Sequence, residues 1–110
     1  MATTTPLPMG VQLFLTTTTV IYTVPNGATG IVRSITVVNT DSVARTFRLY
    51  IVPAGQQPGV RYALAYDFSL QPGDEWQDDA AHCMATGDSI IGTASVANVI
   101  NCRADGAQVT

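Results

Sequence analysis

The sequence predicts an all-β domain: an antiparallel β-sandwich, jelly-roll-like, of about eight strands with an extended N-terminal arm. Three observations carry this. Apolar and polar residues alternate with a period of two over most of the chain, turn signals interrupt the alternation at short intervals, and no window holds a sustained apolar i, i+3, i+4, i+7 stripe. Short antiparallel strands joined by Gly/Pro turns bury their apolar faces by stacking two sheets. The order of the strands in space is not contained in this pattern.

Residues 1–10 are rich in Thr, Pro and Gly, and Pro6 and Pro8 block a helix, so they are expected as an extended arm ahead of a single sandwich domain over 11–110. The first strands are placed at 11–15 and 18–24, the second ending in Pro25–Asn26–Gly27. A strand over 31–39 runs into the turn Asn39–Ser42, and the next covers 45–52. There Phe47, Leu49 and Ile51 are expected to face inward, and Thr46, Arg48 and Tyr50 outward. The loop Pro53–Gly59 leads to a strand at 61–70, where Tyr62, Leu64, Tyr66, Phe68 and Leu70 share one face opposite Arg61, Asp67 and Ser69. Past the turn Gln71–Asp74, strands are expected at 75–84, 89–96 and 99–104, separated by Thr86–Asp88 and Ala97–Asn98, with a last turn at Asp105–Gly106.

Charge is scarce. Asp, Glu, Lys and Arg make up 12% of the chain, about half the usual share, and lysine is absent; the five cations are Arg33, Arg45, Arg48, Arg61 and Arg103. Interfaces deplete Lys and favour Arg, so one reading is a surface largely covered by other protein. The other is a Thr-rich sandwich kept in solution by hydroxyls. A net charge of -3 leaves no basic footprint, so nucleic acid is not expected as a partner. No apolar run of about 20 residues is present to span a membrane, and the opening residues lack the basic and apolar regions of a secretory signal. Cys83 and Cys102 are therefore expected as reduced thiols in strands that can face inward.

Chemistry is hard to find. Asp74, Glu75, Asp78 and Asp79, followed by His82, form the one dense polar cluster. Alternation sends Asp78 and Asp79 to opposite faces, so the stretch is read as a solvated turn entering a strand anchored by a buried Trp76, with weak calcium binding left open. His82 and Cys83 face opposite sides of one strand, and no second histidine is available to activate a hydroxyl. No phosphate or dinucleotide loop occurs. No enzyme, metal or cofactor is expected. A carbohydrate platform would need exposed aromatic rings; Tyr22 and Tyr50 are the candidates, the other rings belonging to the apolar face.

The segment "IYTVPNGATGIVRSITVVNTDSVARTFRLYIVPAG", followed by "LQPGDEW" and "MATGDSIIGTAS", resembles a family of small tailed-bacteriophage virion proteins. The shared order is a "TVP" strand end, an "IVRSI-x-V-x-NT" strand, an "ART-x-x-LY-x-VP" strand, a "PG[DE]" turn and a "GD-x-I" strand, over residues 18–96. The resemblance implies a β-sandwich serving as a capsid decoration (cement) subunit on the major capsid protein, at the virion surface after synthesis in the bacterial cytoplasm. A tail or fibre component is the alternative within the family, and a carbohydrate-binding adhesin module the alternative outside it. It also implies a homotrimer, in which Arg45 and Arg48 would make inter-subunit pairs. The arm would add partner contacts through Leu7 and Met9 stiffened by Pro6 and Pro8, or fold back along its own sandwich.

Overall fold

The computed structural model describes residues 3–110 and contains two antiparallel sheets packed face to face. Nine strands follow in order: β1 (Thr4–Leu13), β2 (Thr19–Thr23), β3 (Thr29–Asn39), β4 (Arg45–Val52), β5 (Ala63–Leu70), β6 (Glu75–Asp78), β7 (His82–Met84), β8 (Ser89–Ala94) and β9 (Ile100–Val109). One sheet runs β1-β9-β3-β6, with β7 also on β3, and the other runs β2-β8-β4-β5. Counting β6 and β7 as one interrupted strand, this is the winding of an eight-stranded jelly roll. It equals a long hairpin folded over twice: β1 lies on β9, β2 on β8 and β4 on β5.

The core lies between the sheets. Val32 and, past a bulge at Arg33, Ile35 and Val37 of β3 point inward, opposite Phe47 and Leu49 of β4 and Ile90 of β8, and Cys102 and Ala104 of β9 join them. Phe14, in the loop after β1, closes the stack. Its ring lies over Gly92, where any side chain would overlap it, which explains a glycine inside a strand. Trp76 is half-buried and meets Phe47 edge-on, with ring centroids 5.7 Å apart.

Two polar ties fix the ends. At one end Asn39 is fully buried: Nδ2 donates to the carbonyls of Val43 (2.9 Å) and Leu70 (3.0 Å), and Oδ1 accepts from Asp41 N (2.9 Å). Its backbone bonds the Gly73–Asp74 turn from both sides. Asn39 thus joins the β3–β4 turn to the β5–β6 turn, across the two sheets. At the other end Asp88 accepts from Ala54 N (3.0 Å) and Ala85 N (2.9 Å), tying the β4–β5 loop to the β7–β8 turn. Gly27, Gly55, Gly73 and Gly87 each occupy the third position of a four-residue turn at φ between 77° and 87°, which a side chain resists.

Residues 4–10, expected as an arm, are extended but belong to β1, which pairs with β9 from Thr4↔Val109 to Leu13↔Asn101. The boundary expected at residue 10 falls inside this strand; residues 1–2 lie outside the described part. Leu7 and Met9 find apolar cover in their own core, and Met9 fits there because a bulge adds one residue to β1 between Pro8 and Gly10. The expected last turn at Asp105–Gly106 is strand: β9 continues to Val109 because β1 and β3 flank it on both sides. The expected strand 75–84 is broken, since Asp78 turns back to accept from Ala80 N (2.9 Å) and meets His82 Nε2 (2.9 Å).

Replacing Asn39 with Ala leaves the Val43 and Leu70 carbonyls and the Asp41 amide without their partner. We expect a loss of about 2–4 kcal/mol in denaturant-induced unfolding at unchanged slope. A loss below about 0.5 kcal/mol would show that the tie does not hold the sheets together.

Candidate functional site

Two surfaces stand out, and the residues expected from sequence to make contacts are divided between them, the core and ion pairs within the chain. Pro6 and Pro8 are exposed on β1, whereas Leu7 packs on the core and Met9 is buried. Arg45 is paired within the chain, Nε to Asp41 Oδ2 at 2.7 Å, and this guanidinium holds the Asp41 carboxyl below its ordinary range. Arg48 is also paired within the chain, donating through Nε and Nη2 to the two Asp67 oxygens at 2.6 and 3.1 Å. Arg103 pairs with Asp105. Among the described residues, Arg33 and Arg61 are the arginines without a carboxylate partner.

The first surface is an apolar flank. β1 and β2 are edge strands of different sheets and lie against each other on one side of the sandwich. Along this side Val11, Leu13, Leu15 and Val20 are 56%, 45%, 42% and 50% exposed. Val11 and Leu13 stand opposite Arg103 and Asn101 of β9, on the solvent face, while Gln12 opposes the buried Cys102. Val20 stands opposite Ile91 on the outer face of the other sheet, so the exposed aliphatic side chains border the adjoining β1 and β2 edges from both sides of the sandwich.

The second surface is polar, on the outer face of the β2-β8-β4-β5 sheet. A bulge sets Tyr66 and Asp67 of β5 against the single residue Arg48 of β4, because Phe47 faces Phe68 while Leu49 faces Ala65. Asp67 takes φ 51°, a conformation that Asp tolerates better than most residues. The bulge corrects the expected inner row of β5 at Tyr66, which is 45% exposed; Phe68 keeps the inner side opposite Phe47, with ring centroids 5.9 Å apart, and is 44% exposed because β5 is an edge strand. Arg48 lies 4.2 Å over the Tyr66 ring. The Arg48 guanidinium keeps the Asp67 carboxyl below its usual range, and Asp67 in turn raises the arginine. Beside the pair is a cleft of about 220 Å³ lined by Thr16, Thr46, Arg48, Asp67, Thr93 and Ser95 together with the apolar Phe47 and Ala94.

The expected aromatic platform is not formed by Tyr50, which is 5% exposed. It does face outward, yet Val52, Ile91, Tyr62 and Ala63 pack around it in a small second core. Tyr22 is half-buried and its hydroxyl accepts from Gln108 Nε2. Sequence periodicity misses both the buried Tyr50 and the exposed Tyr66, since neither a loop folded over a sheet nor a bulge leaves a period. The one available signal is Asp67 itself, a charge among aromatics in "AYDF".

The acidic stretch does not converge. Asp78 and His82 pair with each other, Asp74 and Glu75 lie exposed at the start of β6, and among the described residues no three His, Cys, Asp or Glu side chains gather as a metal-holding group. No helix of the described residues is long and apolar enough to cross a membrane.

No family model matches the sequence, and no curated protein matches it. In three dimensions the chain is similar to part of a chain in the solved structure of infectious bursal disease virus Gx strain, with a TM-score of 0.50 and 12% sequence identity. The match covers 99% of this chain and 32% of the viral one, so this chain spans about a third of that neighbour. At such identity the likeness shows the fold alone.

Cys83 and Cys102 are both free; Cys83 is exposed, against expectation, because it alternates outward between His82 and Met84. Burial pushes the Cys102 thiol up to about 12. In the folded protein at mildly alkaline pH an aromatic disulfide reagent should modify one thiol fast, and a second only after denaturation. Two fast thiols in the native protein would contradict the placement of Cys102.

Proposed function

We propose that this chain is a non-catalytic structural protein of a virion, and specifically a capsid decoration (cement) protein that bridges neighbouring major capsid subunits. The observation that carries the reading is the apolar flank of Val11, Leu13, Leu15 and Val20 on two adjoining sheet edges. Such a flank is costly in water and gains from cover, and Pro6 and Pro8 on the same edge lack the N–H groups that would invite indiscriminate strand pairing. The sequence resemblance to small phage virion proteins supports the reading, as does the recurrence of the fold in a virus structure.

In this proposal residues 4–10 contribute through the outward edge of β1, with Pro6 and Pro8 touching the partner while Leu7 and Met9 hold the strand to its own core. Copies assemble as trimers. Arg33 and Arg61, which have no carboxylate partner among the described residues, take over the inter-subunit pairing first expected of Arg45 and Arg48.

Two measurements test this. A protein with both Val11→Lys and Val20→Lys should stay folded, since both positions are exposed, yet its occupancy on particles in co-sedimentation should fall about tenfold or more. Wild-type occupancy would rule the flank out as the docking face. Light scattering of the isolated protein should return about three times the 11.6 kDa chain mass. A monodisperse monomer would contradict a stable trimer in solution.

A further inference from the structure

We propose that the cleft beside Arg48 and Asp67 is a binding site for one neutral sugar residue, an activity that goes beyond the structural role and does not depend on it. The argument begins with charge. Arg48 and Asp67 form a two-bond pair at 2.6 and 3.1 Å, so the charges in the cleft cancel. An anion entering the cleft meets the Asp67 carboxylate, and a cation meets the Arg48 guanidinium; only an uncharged ligand avoids both. Each Asp67 oxygen accepts one bond from Arg48 and keeps lone-pair capacity for a ligand hydroxyl.

Apart from the apolar Phe47 and Ala94, the other lining groups are hydroxyls. Thr16, Thr46, Thr93 and Ser95 border the cleft, and the hydroxyls of Thr16, Thr46 and Thr93 have no hydrogen-bond partner among the described residues. Thr46 and Thr93 are positioned by strand register: Arg48 sits opposite Thr93 in the β4–β8 ladder, and backbone bonds join Thr46 to Ser95. Hydroxyls that donate and accept, next to a carboxylate that only accepts and a guanidinium that only donates, match the mixed character of adjacent sugar hydroxyls. A volume of about 220 Å³ falls below the range of drug-sized pockets and suits a ligand of one ring.

Two further features fit a sugar better than a water-filled notch. Tyr66 is nearly half exposed beside the ion pair, and the part of its ring that the Arg48 guanidinium leaves uncovered offers apolar surface for the C–H side of a pyranose. The pair is also held by more than chance surface contact. A bulge on β5 and a left-handed backbone at Asp67 aim its carboxylate at Arg48, while the Tyr66 ring supports the guanidinium from one face. Arg48 and Asp67 thus hold fixed directions at the edge of a single-ring volume, beside hydroxyls free to turn toward a ligand.

The test is a titration of the isotope-labelled full chain, followed by amide chemical shifts, with glucose, galactose and mannose in turn, and with inorganic phosphate as the charged control. At least one hexose should move the amides of Thr46, Arg48, Asp67, Thr93 and Ser95 together, with a dissociation constant of about 1–10 mM. Thr93→Val preserves shape and leaves the ion pair intact, and should weaken that binding about fivefold or more; Asp67→Asn should weaken it about tenfold. The spectra themselves report whether each variant is folded. The proposal is overturned by any of three results: no hexose moves these amides at about 50 mM, phosphate moves them as strongly as a hexose, or folded Thr93→Val binds as well as the parent.

Discussion

A single buried side-chain amide, that of Asn39, sets how the two sheets sit on each other. Apolar packing between sheets is strong but non-directional; it rewards contact without choosing one alignment. Alignment comes from groups that lose their partners if the sheets slip. Asn39 leaves β3 of one sheet and holds the carbonyls of Val43, just before β4, and of Leu70, the last residue of β5, both in the other sheet's strand pair. Asp88 does the corresponding work at the far end, between the loop after β4 and the turn before β8. With both ends tied, the core of Val32, Ile35, Phe47, Leu49 and Ile90 has one packing available.

These ties also explain what the sequence resemblance detects. "NT" after β3 and "PGD" before β6 are the two segments that Asn39 joins. "VPAG" and "ATGD" are the segments joined by Asp88, with Gly55 and Gly87 supplying the left-handed turn positions. The motifs therefore record turn geometry and its fastening rather than a chemical site. A protein can share them by sharing a way of closing a sandwich, and function must be sought on the surfaces between the ties.

The all-β class, the inward set Phe47 and Leu49, and the strands over 31–39 and 45–52 were legible because alternation runs through 45–52 and through 34–39, past a bulge near Arg33. Alternation fails wherever a bulge inserts a residue. The bulge opposite Arg48 turned Tyr66 outward, and the one at Met9 let β1 start near residue 4 with its apolar groups inside. Tyr50 was misplaced for a different reason: it obeys the alternation, and the loop from Pro53 to Tyr62 then builds a second small core over it. Arg45 and Arg48 look unattached in sequence because Arg48's carboxylate arrives from another strand, while Asp41 is brought back to Arg45 by the turn that Asn39 fastens. Ion pairs made by folding cannot be counted from composition. Here they leave a surface of hydroxyls and aliphatic side chains, with few charges free to serve a neighbour.

That surface fits a protein whose work is to be held against another protein. An electron cryo-microscopy map of the virion tests this most directly. The account predicts three sandwich-sized densities grouped as a trimer at each site over the outer face of the head, spanning adjacent major capsid subunits, with the β1–β2 flank of each turned toward the shell. Density for this chain at the tail alone, or on the head with that flank turned to solvent, would contradict it.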